Sequence, residues 1–309
     1  MMVQVMQKPD WATNYNYLWH SNPQSQPTCK TFFNKCYIRP QVNAAWKVVK
    51  DSSQSIEASQ SAWHTINKFK DDNANMLAGR TVQTFCDDVL LNDSTAADAL
   101  VAAQATLSVY KPRQWDDSDR PKYERRIDEL ELVADSALNG LREALRGVNA
   151  IEGEREVWTE IPRCDLPFFG KPDYIGRVEL KTKWDRPARS KSGWAQNSLP
   201  TKPTYPHLTQ VAGYWAGTGL PQTLVYANKA DFRIFTPENC EELQPDNLKR
   251  VWGAAARDCR IREGLLQAAH ALGGDIRDLM RLVPPQFAHP FAWDVAPEVK
   301  AIALELWDE

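Results

Sequence analysis

The chain has 309 residues, 43% of them hydrophobic, with a formal charge of −3 and a mean hydropathy of −0.52. That is enough to bury a large core in one elaborated domain or two, and no apolar run is long enough to cross a bilayer, so a membrane protein is disfavoured. The stretch from Met1 to Asp10 lacks the basic start, apolar run and cleavage site of a secretion signal, which makes the cytoplasm, a host's if phage-encoded, the expected location.

In chain order, residues 1–60 are rich in Asn, Gln, Ser and Pro and are expected to form an irregular N-terminal arm. From 61 to about 149 the pattern is helical. Val82, Phe85 and Val89 make an apolar stripe, and the segment Asp93 to Asp98 reads as a helix start with Asp93 as its cap. A further helix is predicted from Asp128 to Arg146, with Leu130, Val133, Leu138 and Leu141 on its buried side. Strands follow: Glu156 to Ile161, then a hairpin turning at Tyr174, Ile175 and Gly176 into a strand from Arg177 to Lys183. Pro206 favours a helix start, and His207, Gln210 and Tyr214 then share one stripe of it. Two more strands, Thr223 to Ala227 and Phe232 to Phe235, precede a helix from Leu248 to Ala271 stopped by Gly273 and Gly274, and a short last helix from Val299 to Trp307. This order predicts an α/β fold, a central mixed sheet flanked by helices behind a helical N-terminal part. The expected domains are the arm (1–60), a core (61–272) and a tail packed on it (273–309).

The strand around Glu179 carries chemistry. Strict alternation from Arg177 to Lys183 puts Val178, Leu180 and Thr182 on one face and Arg177, Glu179, Lys181 and Lys183 on the other. With a three-residue loop, Tyr174 to Gly176, Asp173 pairs opposite Arg177 and lands diagonal to Glu179, within roughly 8 Å. An even loop would turn Asp173 to the wrong face. Asp173, Glu179 and the Leu180 carbonyl are hard oxygen ligands suited to Mg²⁺ or Mn²⁺, and such an ion acidifies water and neutralises charge on a phosphate under attack. Lys181 is placed to orient the attacking water, with a pKa that the cation would push down.

Between Arg177 and Tyr205 lie Arg177, Lys181, Lys183, Arg186, Arg189, Lys191 and Lys202 against Glu179 and Asp185, a formal +5 on an acidic protein. Trp184, Trp194 and Tyr205 are interleaved with them. Cations attract phosphates and aromatic faces stack on unpaired bases, so Lys183, Trp184, Arg186, Gln210 and Tyr214 are candidate nucleic-acid contacts beside the equally serviceable reading of a solvated loop with packed tryptophans.

Gly170 with Asp173, Glu179-Leu180-Lys181, and Gln210 with Tyr214, in that order, resemble the motifs of the PD-(D/E)XK nuclease superfamily, in particular its RecB-like and phage-exonuclease branch. A first motif of that branch, Gly-x-x-x-His on a helix, is similar to Gly79 through Gln83, with Gln83 in the histidine's place and Asp87 one turn later as a candidate supplementary ligand. The spacing from Asp173 to Glu179 is shorter than is usual there, and the resemblance extends from about Met76 to about Phe235. It implies a restriction-endonuclease-like core, catalysis by Asp173, Glu179 and Lys181, metal binding by Asp173, Glu179 and Leu180, and DNA as partner in recombination, repair or phage DNA processing. It also implies that ring-like self-association or a recombination partner protein is possible.

Some RecB-like nucleases hold an iron–sulfur cluster through one early cysteine and a close late group. Cys29, Cys36, Cys86, Cys164, Cys240 and Cys259 do not follow that spacing, so no cluster is expected, nor a zinc site, and the thiols are expected to be reduced. The competing readings are a restriction-type endonuclease, which would share the acids and the lysine without the Gln210 and Tyr214 pair, and a non-catalytic nucleic-acid-binding module. An α/β domain whose Glu-Leu-Lys is an ordinary charged strand is the remaining alternative.

Overall fold

The computed structural model describes residues 8–21, 26–69, 73–188, 193–289 and 293–308. Helices α1 (Asp10–Asn14) and α2 (Thr28–Phe32) come first, and α2 runs through a π-helical segment (Phe33–Ile38) into α3 (Arg39–Lys50). Next are α4 (Ile56–Lys68), α5 (Ala74–Leu91), α6 (Ala96–Ser108) and α7 (Asp119–Ala144). The strands β1 (Val157–Thr159), β2 (Phe168–Gly170), β3 (Val178–Thr182), β4 (Arg186–Pro187) and β5 (Trp194–Ala195) precede α8 (Tyr205–Thr218). Strands β6 (Thr223–Ala227) and β7 (Phe232–Phe235) lead to α9 (Pro245–Leu272), α10 (Ile276–Leu282) and α11 (Pro297–Asp308). The fold is mixed α/β, with helices predominating over small sheets.

The chain forms two compact units, and neither follows the expected consecutive domains. One gathers residues 1–71, 160–169 and 253–309, the other 72–159 and 170–252. The stretch expected to be an irregular arm carries α1 to α3 and the start of α4 in the first unit, where Trp11, Tyr17, Phe32, Phe33, Leu266 and Leu279 share one apolar core. Its Asn, Gln and Pro content obscured helices whose apolar positions are mostly aromatic.

In the second unit the sheet order is β3-β6-β7, with β3 parallel to β6 and β6 antiparallel to β7. A parallel pair needs a crossover, and α8 supplies it between β3 and β6. Val178 and Leu180 of β3 and Val225 and Ala227 of β6 pack with Val82 and Phe85 of α5 and Leu130, Val133, Leu138 and Leu141 of α7. Fully burying each such side chain contributes about 1.5–3 kcal/mol. Helix α7 approaches closely because it carries Gly140 there: a Cβ on it would stand 2.9 Å from Val225 Cγ1 and 3.1 Å from Phe232 Cβ.

Local signals set the helix starts. Asn73 caps α5 by accepting from the Met76 N–H at 2.9 Å. Thr95, not Asp93, caps α6, accepting from the Asp98 N–H at 3.2 Å, while Asp93 takes a left-handed φ of 54°. An aspartate tolerates that conformation better than most residues, so a turn was available to it two positions before the cap. The helix expected to begin at Asp128 begins at Asp119, whose buried carboxylate accepts from the Ala74 N–H and the Tyr110 hydroxyl.

Candidate metal centre

The site lies within the second unit and starts from β3. Its pleat sends Val178 and Leu180 into the core and leaves Glu179 and Lys181 on the opposite face. Upstream, Tyr174 and Val178 exchange backbone hydrogen bonds of 3.1 and 3.0 Å in an isolated antiparallel bridge. The loop is therefore Ile175 to Arg177, with left-handed φ of 43° and 69° at Ile175 and Gly176. It has the odd length that the face argument demands, but it starts one residue later than expected, because the chain closes on Tyr174 instead of Asp173. Continuing that register puts Asp173 across from Glu179 instead of Arg177. One Asp173 oxygen accepts from the Leu180 N–H at 2.7 Å.

Glu179 is 4% exposed. Its Oε1 accepts from Lys181 Nζ at 2.6 Å and from Gln210 Nε2 at 2.7 Å. Its Oε2 is buried and has no hydrogen-bond partner among the described residues. An ionised carboxylate oxygen left this way is costly unless something else meets it. Gln210 comes from α8 and lies 2.6 Å from the Tyr214 hydroxyl, which in turn donates to the Lys171 carbonyl at 3.3 Å. Tyr214 thus ties the glutamine to the strand leading into Asp173.

The electrostatics follow from this crowding. Burial first, then the Glu179 charge, raises the Asp173 pKa well above the usual carboxylate range. Burial works against the Lys181 ammonium, but Glu179 and Asp173 outweigh it and hold its pKa above the ordinary lysine value. His207, one turn before Gln210, meets the Tyr226 hydroxyl at 2.6 Å, and burial together with Lys181 and Lys183 pushes its pKa down to about 3.

The candidate first motif reaches the same neighbourhood. At Gly79, α5 passes β3 near Thr182, a Cβ there standing 3.4 Å from Thr182 Oγ1, an ordinary contact distance. Gln83 Nε2 donates to the Tyr174 hydroxyl at 2.9 Å and to Asp87 Oδ1 at 3.0 Å, while Tyr174 donates to the same Asp87 oxygen at 2.7 Å. Asp87 is therefore held by two neutral donors, burial raises its pKa, and its charge adds a minor upward push on Asp173.

The expected nucleic-acid contacts divide. Tyr214 is 1% exposed and Trp184 7%, so neither ring offers a face to a base. Trp184 donates to Thr182 Oγ1 at 3.0 Å and is covered by the Arg126 guanidinium, because it lies on the core face of the chain leaving β3. Lys183 is half-buried over the Tyr226 ring, and Arg186 is exposed on β4. Tyr205 is 46% exposed, and Lys202 is exposed and 3.7 Å from Glu242. Arg189 and Lys191 lie outside the described residues.

A second charged cluster in the same unit escaped the sequence reading. Asp185 Oδ2 accepts from Arg125 at 2.6 Å and Lys229 at 2.7 Å, and Glu129 pairs with Arg125 and Arg126, each at 2.9 Å. Burial opposes the Asp185 charge, but hydrogen bonds from Glu129, Lys229 and Arg125 hold its pKa down to about 2, while burial and Asp185 push Glu129 up. Its members come from α7, from beyond β3 and from the turn after β6, so no local spacing could reveal it. No family model, curated protein or solved structure matches this chain.

Proposed function

We propose that the chain is a Mg²⁺- or Mn²⁺-dependent deoxyribonuclease, a RecB-like exonuclease acting on DNA in recombination, repair or phage DNA processing. The observation that carries the reading is the unmet Glu179 Oε2, buried beside Asp173 and Lys181 while its sister oxygen is fixed by Lys181 and Gln210. Glu129 Oε1 is likewise buried without a hydrogen bond but has Arg125 Nε at 2.9 Å, whereas no cation among the described residues is placed at Glu179 Oε2, and a divalent ion would supply that partner. The three-stranded mixed sheet with α5 and α7 on one face is compatible with a restriction-endonuclease-like core.

The donor set fits a hard cation. Asp173, Glu179 and the Leu180 carbonyl would hold it, and when bound it would neutralise phosphate charge and activate water. Lys181 keeps its ammonium at neutral pH and is positioned to bond the water that attacks or the phosphate oxygen that gains charge. Gln210 holds Glu179 in one rotamer, and Tyr214 holds Gln210. Lys183, Arg186 and Lys202 would attract the DNA backbone.

End-labelled linear DNA and closed circular DNA, each incubated with the purified chain and Mg²⁺ or Mn²⁺, test the proposal. Loss of linear ends while circles persist is expected, with cleavage stopped by EDTA and not restored by Ca²⁺, whose looser coordination does not suit in-line attack. Cleavage that continues in EDTA would refute the metal-dependent assignment, and cutting of circles would favour an endonuclease.

A further inference from the structure

We propose a second, independent metal site, of the zinc class, in the first unit, formed by His20, Cys164 and Glu263. The three come from chain segments far apart in sequence, yet one ligand atom of each lies within 4.8 Å of the others. Three atoms bound tetrahedrally to Zn²⁺ at about 2.0–2.3 Å stand about 3.3–3.7 Å from one another, so separations of up to 4.8 Å would close by about 1 Å on binding, which a side-chain rotation of Cys164 at the turn can supply. The His20 Nε2 to Glu263 Oε1 contact, now 2.9 Å, would open by several tenths of an ångström. Imidazole, thiolate and carboxylate together suit a borderline-soft ion with tetrahedral preference, and they do not suit Mg²⁺, which prefers oxygen throughout.

The surroundings match what a bound ion requires of its outer layer. A histidine ligand needs its other ring nitrogen fixed, and His20 Nδ1 lies 3.2 Å from the Tyr17 hydroxyl. A carboxylate ligand needs its remaining lone pairs engaged. The Leu166 N–H donates to Glu263 Oε1 at 3.0 Å and the Asp165 N–H to Oε2 at 2.9 Å. Cys164 is delivered by a tight turn, its N–H bonding to Ile161 O at 3.0 Å and Arg163 holding a left-handed φ of 65°. Its sulfur is free of any disulfide and half-buried, whereas His20 is fully buried and Glu263 4% exposed. The Cys164 thiol also reaches Glu263, and burial and that carboxylate push its pKa up to about 12, so an ion would have to displace the thiol proton on binding. The backbone already joins two of the segments, His20 N–H to Pro167 O at 2.9 Å and Phe169 N–H to His20 O at 2.8 Å, so an ion would clamp the 161–169 turn to α9 and to the segment around His20.

The test uses the full chain, stripped of metal and titrated with Co²⁺ as a spectroscopic stand-in for zinc. About one equivalent is expected to bind tightly, with a near-ultraviolet thiolate-to-cobalt band and visible bands of tetrahedral intensity. Cys164→Ala should abolish the thiolate band, and His20→Gln should weaken binding at least about tenfold. Asp173→Asn and Glu179→Gln, which alter the proposed nuclease centre, should leave both unchanged, so this site and that one fail separately. A stoichiometric complex with no thiolate band, an identical band in Cys164→Ala, or no tight binding at all would overturn the proposal. Cys164→Ala alone decides the matter if His20→Gln fails to fold.

Discussion

Two buried charge clusters in the second unit invite comparison. Around Glu129 and Asp185, two carboxylates meet Arg125, Arg126 and Lys229, and the carboxylate oxygens take these cations at 2.6–2.9 Å. Around Glu179 and Asp173, two carboxylates meet one lysine, and one buried oxygen has nothing. The first cluster is closed by charge and contributes structure: Glu129 Oε1 and Arg125 Nε make no hydrogen bond of good geometry but stand 2.9 Å apart as an ion pair, and the cluster fastens α7 to the chain leaving β3 and to the turn after β6. The second has a single ammonium for two carboxylates, and the Asp173 pKa is raised in response, the pattern of crowded acids that the proposed cation would relieve. Burial alone does not separate the two, and the partner count does.

The comparison can be broken by exchanging consequences. Glu179→Gln, which keeps the shape and removes the charge, is expected to lower DNA cleavage by on the order of 10³-fold with DNA binding retained, as measured by single-turnover digestion and filter binding. Asp185→Ala is expected to behave oppositely, sparing cleavage and costing on the order of 1–3 kcal/mol of stability in urea unfolding, because Arg125 and Lys229, each about a quarter exposed, lose the carboxylate that fixes them. If Glu179→Gln unfolds the chain while Asp185→Ala spares it and ends cleavage, the roles assigned to the two clusters are reversed.

Gln210→Ala sharpens the picture at smaller amplitude. Removing the donor that fixes Glu179 should raise the Mg²⁺ concentration needed for half-maximal activity by about 10–100-fold, with less effect once metal is saturating. An unchanged metal requirement would make Gln210 a bystander.

The smallest expected effect is one of pH. The folded-state pKa of Asp173 is raised, so between its unfolded and folded values the native protein binds the extra proton. Its contribution to stability is fully present below the unfolded pKa and lost as pH rises through the folded one. Without metal, the melting temperature should thus fall across that window, and Asp173→Asn should flatten the fall and melt higher at neutral pH. A metal-free wild type with a flat profile there would remove the coupling.

Much of the site was legible because strand and helix periods are local. Alternation in β3 separated Glu179 and Lys181 from Val178 and Leu180, and the i, i+4 spacing brought Gln210 and Tyr214 onto one stripe of α8. The loop register differs by one residue from the expected one because Ile175 takes a left-handed φ, which a β-branched side chain rarely adopts and local spacing does not signal. For Tyr214 and Trp184 the structure favours the packed-aromatic reading over the nucleic-acid contact, for a related reason. An aromatic beside basic residues looks the same in sequence whether its ring faces solvent or the core.

The sequence by itself determined the mixed α/β class, the order of α5 to α8 among β1, β3, β6 and β7, and which acids and amine share a face, since each depends on hydrophobic periodicity within a few residues; the two-residue strands β4 and β5 carry too little pattern to be read that way. Only the tertiary structure decided that residues 1–71, 160–169 and 253–309 form a unit of their own, and that Asp185 is neutralised while Glu179 keeps an open oxygen. It alone brought His20, Cys164 and Glu263 together. Those outcomes depend on partners more than a hundred residues apart or on separate elements, and the packing of the apolar faces, not any local spacing, sets which polar groups are carried into contact.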